Sequence, residues 1–218
     1  MISECGRRGI AILVVLVGTL FANVVAAEDW SASPRPPAKG VHEHDGFLLR
    51  AALGFGYESL SFDDATIGST TIGGPGASFD LALGGVVTSN LAVNADLFSS
   101  VVVSPSVTVD GSDIGDAQNT TLSLSGLGVG VTYYFMPINI YLAGSLGIGQ
   151  AGITEQGTDY GSDVGFATNL MVGKEFWVAD DWGIGFAGQL LYCSVPRADI
   201  DATMPYIGFN LLFSVTYN

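Results

Sequence analysis

Residues 204–217 read MPYIGFNLLFSVTY, and the order of side chains in this stretch decides the fold. Ile207, Phe209, Leu211, Phe213, Val215 and Tyr217 fall on one side of an extended chain, with Gly208, Asn210, Ser214 and Thr216 on the other. Successive strand side chains point to opposite faces, so a period of two marks a strand lying between two different environments. Upstream, Trp182, Ile184, Phe186, Leu190 and Tyr192 alternate with Gly183, Gly185, Ala187 and Gln189. Phe79, Leu81 and Leu83 alternate with Ser78, Asp80, Ala82 and Gly84 in the same way.

Extended along the chain, the pattern predicts strands near 46–62, 77–87, 91–103, 121–135, 140–153, 163–178, 182–194 and 204–217. The connections then alternate: long at 63–76, 104–120, 154–162 and 195–203, short at 88–90, 136–139 and 179–181. An even number of strands with short turns at one end and long loops at the other is the topology of outer-membrane barrels. In the fourth strand Leu122 and Leu124 are out of phase with Leu127, Val129, Val131 and Tyr133, which predicts a bulge near Ser125 and Gly126.

A soluble eight-stranded barrel also alternates, but with its apolar face inward. Here the opposite face carries Gly54, Gly56, Gly84, Gly128, Gly130, Ala143, Gly147, Gly149, Gly165, Ala167 and Gly173, and Lys174 is the only strand lysine. Such a face is wrong for water and right for the crowded interior of a narrow barrel. The aromatics agree: Phe47, Phe135, Phe176, Trp182 and Tyr217 gather near the short turns, and Tyr57, Phe79 and Tyr192 nearer the long loops. Lys174, on the lipid side near a short turn, is placed to snorkel.

The composition leads to the same place. The chain has 218 residues, 30 of them glycine, only 13% charged, with 21 acids against 7 bases, and its mean hydropathy is +0.44. An acidic chain excludes nucleic-acid binding through phosphate neutralisation. Arg7 and Arg8, the apolar run from Ile10 to Val25 and the small residues Val25-Ala26-Ala27 predict a signal peptide over 1–27. Removing Glu4, Arg7 and Arg8 with it leaves 191 residues, 5 basic and 20 acidic. Cys193 is then the only thiol, so no internal disulfide can form. Residues 28–45, with Pro34, Pro36 and Pro37, read as a flexible periplasmic linker.

Over 46–218 the chain resembles the OmpA/OmpX-type family of small outer-membrane β-barrels, more by topology than by motif. The resemblance implies an eight-stranded antiparallel up-and-down transmembrane barrel. It also implies a C-terminal assembly signal at Gly208, Leu211, Phe213 and Tyr217, from which this chain departs by ending on Asn218 after Tyr217. The implied partners are outer-membrane lipid and lipopolysaccharide, the barrel-assembly machinery and periplasmic chaperones.

Chemistry-bearing residues are few. Small outer-membrane enzymes rely on a histidine for acid–base work. This chain has only His42 and His44, both before the first strand, so no enzyme activity is expected. The His42-Glu43-His44 run lacks a third ligand and reads as solvated linker; no metal site and no cofactor are expected. On the inward face Arg50, Glu58, Asp80, Asn94, Asp96, Asn169 and Glu175 stand among small residues. Of these, Arg50, Asp80, Asp96 and Glu175 form the candidate lumen charge cluster, with Arg50, Asp96 and Glu175 expected at similar heights. A buried guanidinium needs carboxylate partners. The cluster therefore plugs the barrel or, alternatively, lines a narrow gated pore. The long loops carry Asp63, Asp64, Asp110, Asp113, Asp116, Glu155, Asp159, Asp199 and Asp201, and read as solvated acidic surface. Cys193 reads as a buried, inert thiol.

The expectation is a monomeric, integral outer-membrane barrel of a Gram-negative bacterium, with both termini periplasmic and a structural or surface-interaction role. The alternative is a narrow channel for ions or small solutes. An outer-membrane lipid-modifying enzyme comes third, disfavoured by the missing histidine.

Overall fold

The computed structural model describes residues 44–64, 66–197 and 202–218. The signal-peptide reading of 1–27 and most of the linker reading of 28–45 lie outside them, as do Asp199 and Asp201. The described chain forms eleven strands: β1 Phe47–Asp64, β2 Gly68–Thr88, β3 Leu91–Val103, β4 Ser106–Val109, β5 Ser112–Asp116, β6 Thr120–Phe135, β7 Ile140–Glu155, β8 Thr158–Gly161, β9 Gly165–Trp177, β10 Trp182–Arg197 and β11 Ala202–Tyr217. Eight of them, β1, β2, β3, β6, β7, β9, β10 and β11, pair antiparallel with their neighbours. β1 pairs with both β2 and β11, which closes the sheet into a barrel.

The register defines the geometry. One row of partners runs Arg50, Ala82, Asp96, Gly128, Gly147, Ala167, Cys193, Tyr206 and returns to β1 at Leu60, ten residues beyond its start. A shear of ten over eight strands, with usual strand rise and spacing, corresponds to a tilt of about 41° and a radius of about 8 Å. Each step across a strand therefore climbs about 3 Å along the axis, so residues sharing a row differ in height.

The connections at the terminal end are short, but those at the other end are hairpins rather than loops. β1 and β2 stay paired to Asp64 and Gly68, so 68–76, expected as loop, is strand. Gly- and Thr-rich sequence hid it, since a ladder needs backbone groups and not apolar side chains. The expected loop at 104–120 holds the β4–β5 hairpin, with β4 also laid against β2. The β7–β8 hairpin occupies the loop expected at 154–162. Both short hairpins turn through two left-handed residues, Asp110-Gly111 and Gln156-Gly157, the turn that matches strand twist.

No bulge occurs in β6. Its pairing with β3 and β7 runs without a shift past Ser125 and Gly126. Instead, the environment of the two faces exchanges. In the lower wall the outward side chains are apolar and the inward ones mostly small or polar, with Leu48, Met171 and Leu212 packed among them. Above about Tyr57, the outward positions become Ser59, Ser61, Thr71, Ser123 and Thr154, while Leu60, Phe62, Ile72, Leu122, Leu124 and Ile153 turn inward.

Candidate functional site

The interior has two tiers. In the lower one Arg50 is the only inward-facing cation among the described side chains, and it is almost fully buried. Its Nη2 lies 4.0 Å from Asp80 Oδ1, its Nη1 donates to Thr132 Oγ1 at 3.3 Å, and its guanidinium carbon sits 4.8 Å from the centre of the Tyr141 ring. Asn169 Nδ2 donates to both Asp80 Oδ2 (2.6 Å) and Asp96 Oδ2 (3.0 Å), tying the two carboxylates together. Ser145 Oγ also donates to Asp96 Oδ2. Glu175 accepts from Thr216 Oγ1 at 2.6 Å. The structure therefore brings Arg50, Asp80 and Asp96 into one network through Asn169. Glu175 is held by Thr216 on the neighbouring wall, and the cluster is staggered up the tilted register instead of level.

Above this network Ser78 donates to Gln189 Oε1 (2.7 Å), which also accepts from Asn210 Nδ2 (3.3 Å). Then the interior turns apolar. Leu60, Phe98, Val102, Leu122, Leu124, Leu191, Val195, Met204 and Tyr206 pack with Cys193 into a continuous cluster. A passage wide enough for water would leave its lining reachable by water, yet Leu122, Val102, Leu191 and Tyr206 are 0% exposed. The barrel is shut at this level.

Glu58 stands within that upper tier, fully buried, and neither carboxylate oxygen has a hydrogen-bond partner among the described residues. Its β11 partner is Gly208 and its β2 partner Gly74. A Cβ on Gly208 would fall inside the Glu58 carboxylate, so the absent side chain is what admits Glu58. Sequence reasoning placed Glu58 on the inward face but left it out of the charge cluster. A glycine opposite an inward acid was the available signal.

At the terminal end His44 corrects the linker reading. It is buried, stacked on Tyr134 with ring centres 3.6 Å apart, and its Nε2–H donates to Asn139 Oδ1 at 2.8 Å. An aromatic shelf offers the imidazole more than solvent does, so the packed structure begins at His44, three residues before β1. Among the described residues no group of three metal-ligating side chains comes together.

The outward face of the lower wall is a belt of Leu, Val, Ile and Phe, many half exposed or more: Leu53, Phe55, Val129, Leu146, Phe186, Phe209 and Leu211 all exceed 50%. Trp182 meets Tyr217 edge-on at 5.1 Å near the termini, beside Phe47, Phe135 and Phe176. Tyr57, Phe166, Tyr192 and Ile207 stand at the upper edge, whereas Phe79 pairs with Leu53 and Ser99 in mid-wall, below the girdle expected for it. From Tyr217 to Ile207 the belt is about 25 Å tall, the height of the apolar band of outer-membrane barrels. Lys174, at the low edge, donates to the Ile138 carbonyl and lies 5.1 Å from the centre of the Phe176 ring. So broad an apolar surface would not stand in water.

The chain is an eight-stranded antiparallel transmembrane β-barrel. Leu211, Phe213 and Tyr217 of the C-terminal strand face the lipid, and Gly208 faces the interior.

No protein-family model matches the chain, and no curated protein matches its sequence. Among solved structures the barrel is similar to Neisserial surface protein A, at 15% identity over 79% of this chain and 96% of that one, with a TM-score of 0.49. It is similar to the outer membrane protein OprG from Pseudomonas aeruginosa at 11% identity, over 81% and 96% of the two chains, with a TM-score of 0.47. It is also similar to the outer membrane protease OmpT from Escherichia coli at 10% identity, over 82% and 99%, with a TM-score of 0.42.

Proposed function

We propose that this barrel is a closed outer-membrane protein of a Gram-negative bacterium whose working surface is its hairpin end, exposed outside the cell, with both termini periplasmic. The observation that carries the reading is the packed apolar tier from Leu60 to Tyr206, which leaves no water-accessible lining across the interior. Outer-membrane lipid and lipopolysaccharide are its surroundings, the barrel-assembly machinery and periplasmic chaperones deliver it, and it acts as a monomer. No enzyme chemistry is assigned: the His44 ring is engaged by Tyr134 and Asn139 at the opposite end from the hairpins.

The test is single-channel conductance of the refolded protein in a planar bilayer, with heat-modifiable gel mobility as proof of folding. A folded, electrically silent barrel is expected. Reproducible steps would favour the second reading, a narrow ion channel, which draws support from the polar lower tier with its excess of carboxylates over Arg50.

A further inference from the structure

Above the upper girdle the barrel wall continues into water, yet its inward side stays apolar. Phe62, Ile72 and Ile153 are only half buried and cap the cluster beneath them. Val107 pairs with Ile72 and extends one apolar wall into β4. Across the mouth Tyr160 pairs with Ile153 and is 59% exposed. The barrel thus opens outward onto an apolar seat lined from two sides, with aliphatic and aromatic surface in contact with solvent.

Among the described side chains the charge around that seat has one sign. Asp63, Asp110, Asp113, Asp116, Glu155 and Asp159 are on the hairpins, all exposed; Glu155 shares the inward face of Ile153, while Asp63, Asp113, Asp116 and Asp159 stand on the outward face at the rim. No described Lys or Arg side chain stands above the girdle. Such a surface attracts cations over several ångströms and repels anions.

We propose that the hairpin mouth is a docking seat for a cationic amphipathic polypeptide segment. The segment's apolar face would cover Phe62, Ile72, Ile153 and Tyr160, and its Lys or Arg side chains would meet the surrounding carboxylates. The proposal rests on the surface-interaction reading above and names its partner class. A bare divalent ion fits less well, because the carboxylates point to different faces and no three metal-ligating groups converge among the described residues. Strand addition at the β5 edge also fits less well. That edge carries a register shift, and Asp113 already accepts the Gly115 N–H at 2.8 Å, both devices that guard an edge.

The test uses the refolded full chain in phosphatidylcholine nanodiscs, with empty nanodiscs subtracted, so that lipid charge contributes nothing. The probes are a short Leu/Lys peptide with an amphipathic helical pattern, a permuted peptide of the same composition without that pattern, and oligolysine of equal charge. Saturable binding of the amphipathic peptide is expected, about tenfold tighter than either control and weakening as salt rises. The variant Asp63→Asn/Asp116→Asn/Glu155→Gln, whose side chains make no hydrogen bond among the described residues, is expected to lose about tenfold and part of the salt dependence. Phe62→Ser is expected to lose a similar factor with heat-modifiable mobility kept; Ile153→Ser provides the same reading should Phe62→Ser not fold. Equal binding of patterned and permuted peptides, or no binding of any probe, overturns the seat. Neither result touches the closed-barrel reading, which falls only to conductance steps.

Discussion

Leu122 and Leu127 lie on one unbroken strand and point to opposite sides of the wall, Leu122 into the buried interior and Leu127 into the outward belt. The chain does not change register between them; the medium outside changes from lipid to water. Below the girdle an outward leucine is covered by acyl chains. Above it the same leucine would meet water, so the apolar residue moves to the inward position, as in any soluble barrel.

Two labels separate this account from a bulge. Nitroxide probes at Ser123→Cys and Leu127→Cys, in the refolded barrel in lipid, should report opposite surroundings. The first should be relaxed by a water-soluble nickel chelate, the second by oxygen dissolved in the bilayer. A bulge would put Leu122 and Leu124 at lipid positions and turn Ser123 into the interior, hiding the first label from the chelate. In unfolding experiments Leu122→Ala should cost about 2–5 kcal/mol, as for a buried leucine, and Leu127→Ala clearly less.

Arg50 should behave as the one charge that its neighbours cannot lose. Removing it leaves Asp80 and Asp96 joined by Asn169 with no cation beside them. Arg50→Ala is expected to lower stability by about 3–5 kcal/mol, the cost of stranding a buried charge. Adding Asp80→Asn should return a large part of the loss. Urea unfolding in lipid vesicles, followed by tryptophan fluorescence, measures both. Additive losses in the double variant would mean that the two side chains do not act as a pair.

Gly208 and Glu58 make a second coupled pair, through space and not charge. Because a Cβ at 208 would overlap the Glu58 carboxylate, Gly208→Ala should destabilise by about 1–3 kcal/mol, the range of overpacking. With Glu58→Ala in the same chain most of that penalty should vanish. Gly208 is also part of the assembly signal that the family resemblance implies, so the comparison is made on protein refolded without the assembly machinery. Persistence of the full penalty beside Glu58→Ala would locate the cost in the backbone.

The barrel was legible in the sequence wherever one face met lipid and the other a narrow interior. There the contrast between Phe209 or Phe213 and Gly208 or Ser214 is large, and period two reports it directly. The inward placement of Arg50, Asp80, Asp96 and Glu175 follows from the same parity. Legibility failed where the contrast reversed. Leu122 and Leu124 obey the same geometry as Leu127, but a reading that assigns one environment to a whole strand takes them for a register error. It failed again at Gly68–Gly76, where strand pairing is carried by backbone groups and the side chains have little to say. His44 was missed because its shelf, Tyr134, is 90 residues away in sequence and only closure of the barrel brings them together.

The charge of the interior makes a last prediction about what an opened barrel would carry. The apolar tier closes the path, and its narrowest contacts are made by side chains that can be shortened: Leu60, Leu122, Leu124 and Phe98. Phe98 lies over Gly126 on the next strand, so Phe98→Ala combined with Leu124→Ala empties one side of the tier without touching the polar network below. That variant should fold, with lower stability by several kcal/mol. Because Arg50, Tyr134 and Tyr141 are buried as fully as the tier above, Tyr141→Ala is added to it, and the triple variant should show small conductance steps where the parent shows none. Ions entering would pass Glu58, Asp80, Asp96 and Glu175 with Arg50 as the only described inward cation. The current should therefore favour cations, and Glu58→Gln, which removes the carboxylate nearest the opened tier, should lower that preference. A reversal potential shifted toward the anion in an asymmetric potassium chloride gradient would contradict the assignment of these four carboxylates to the interior field.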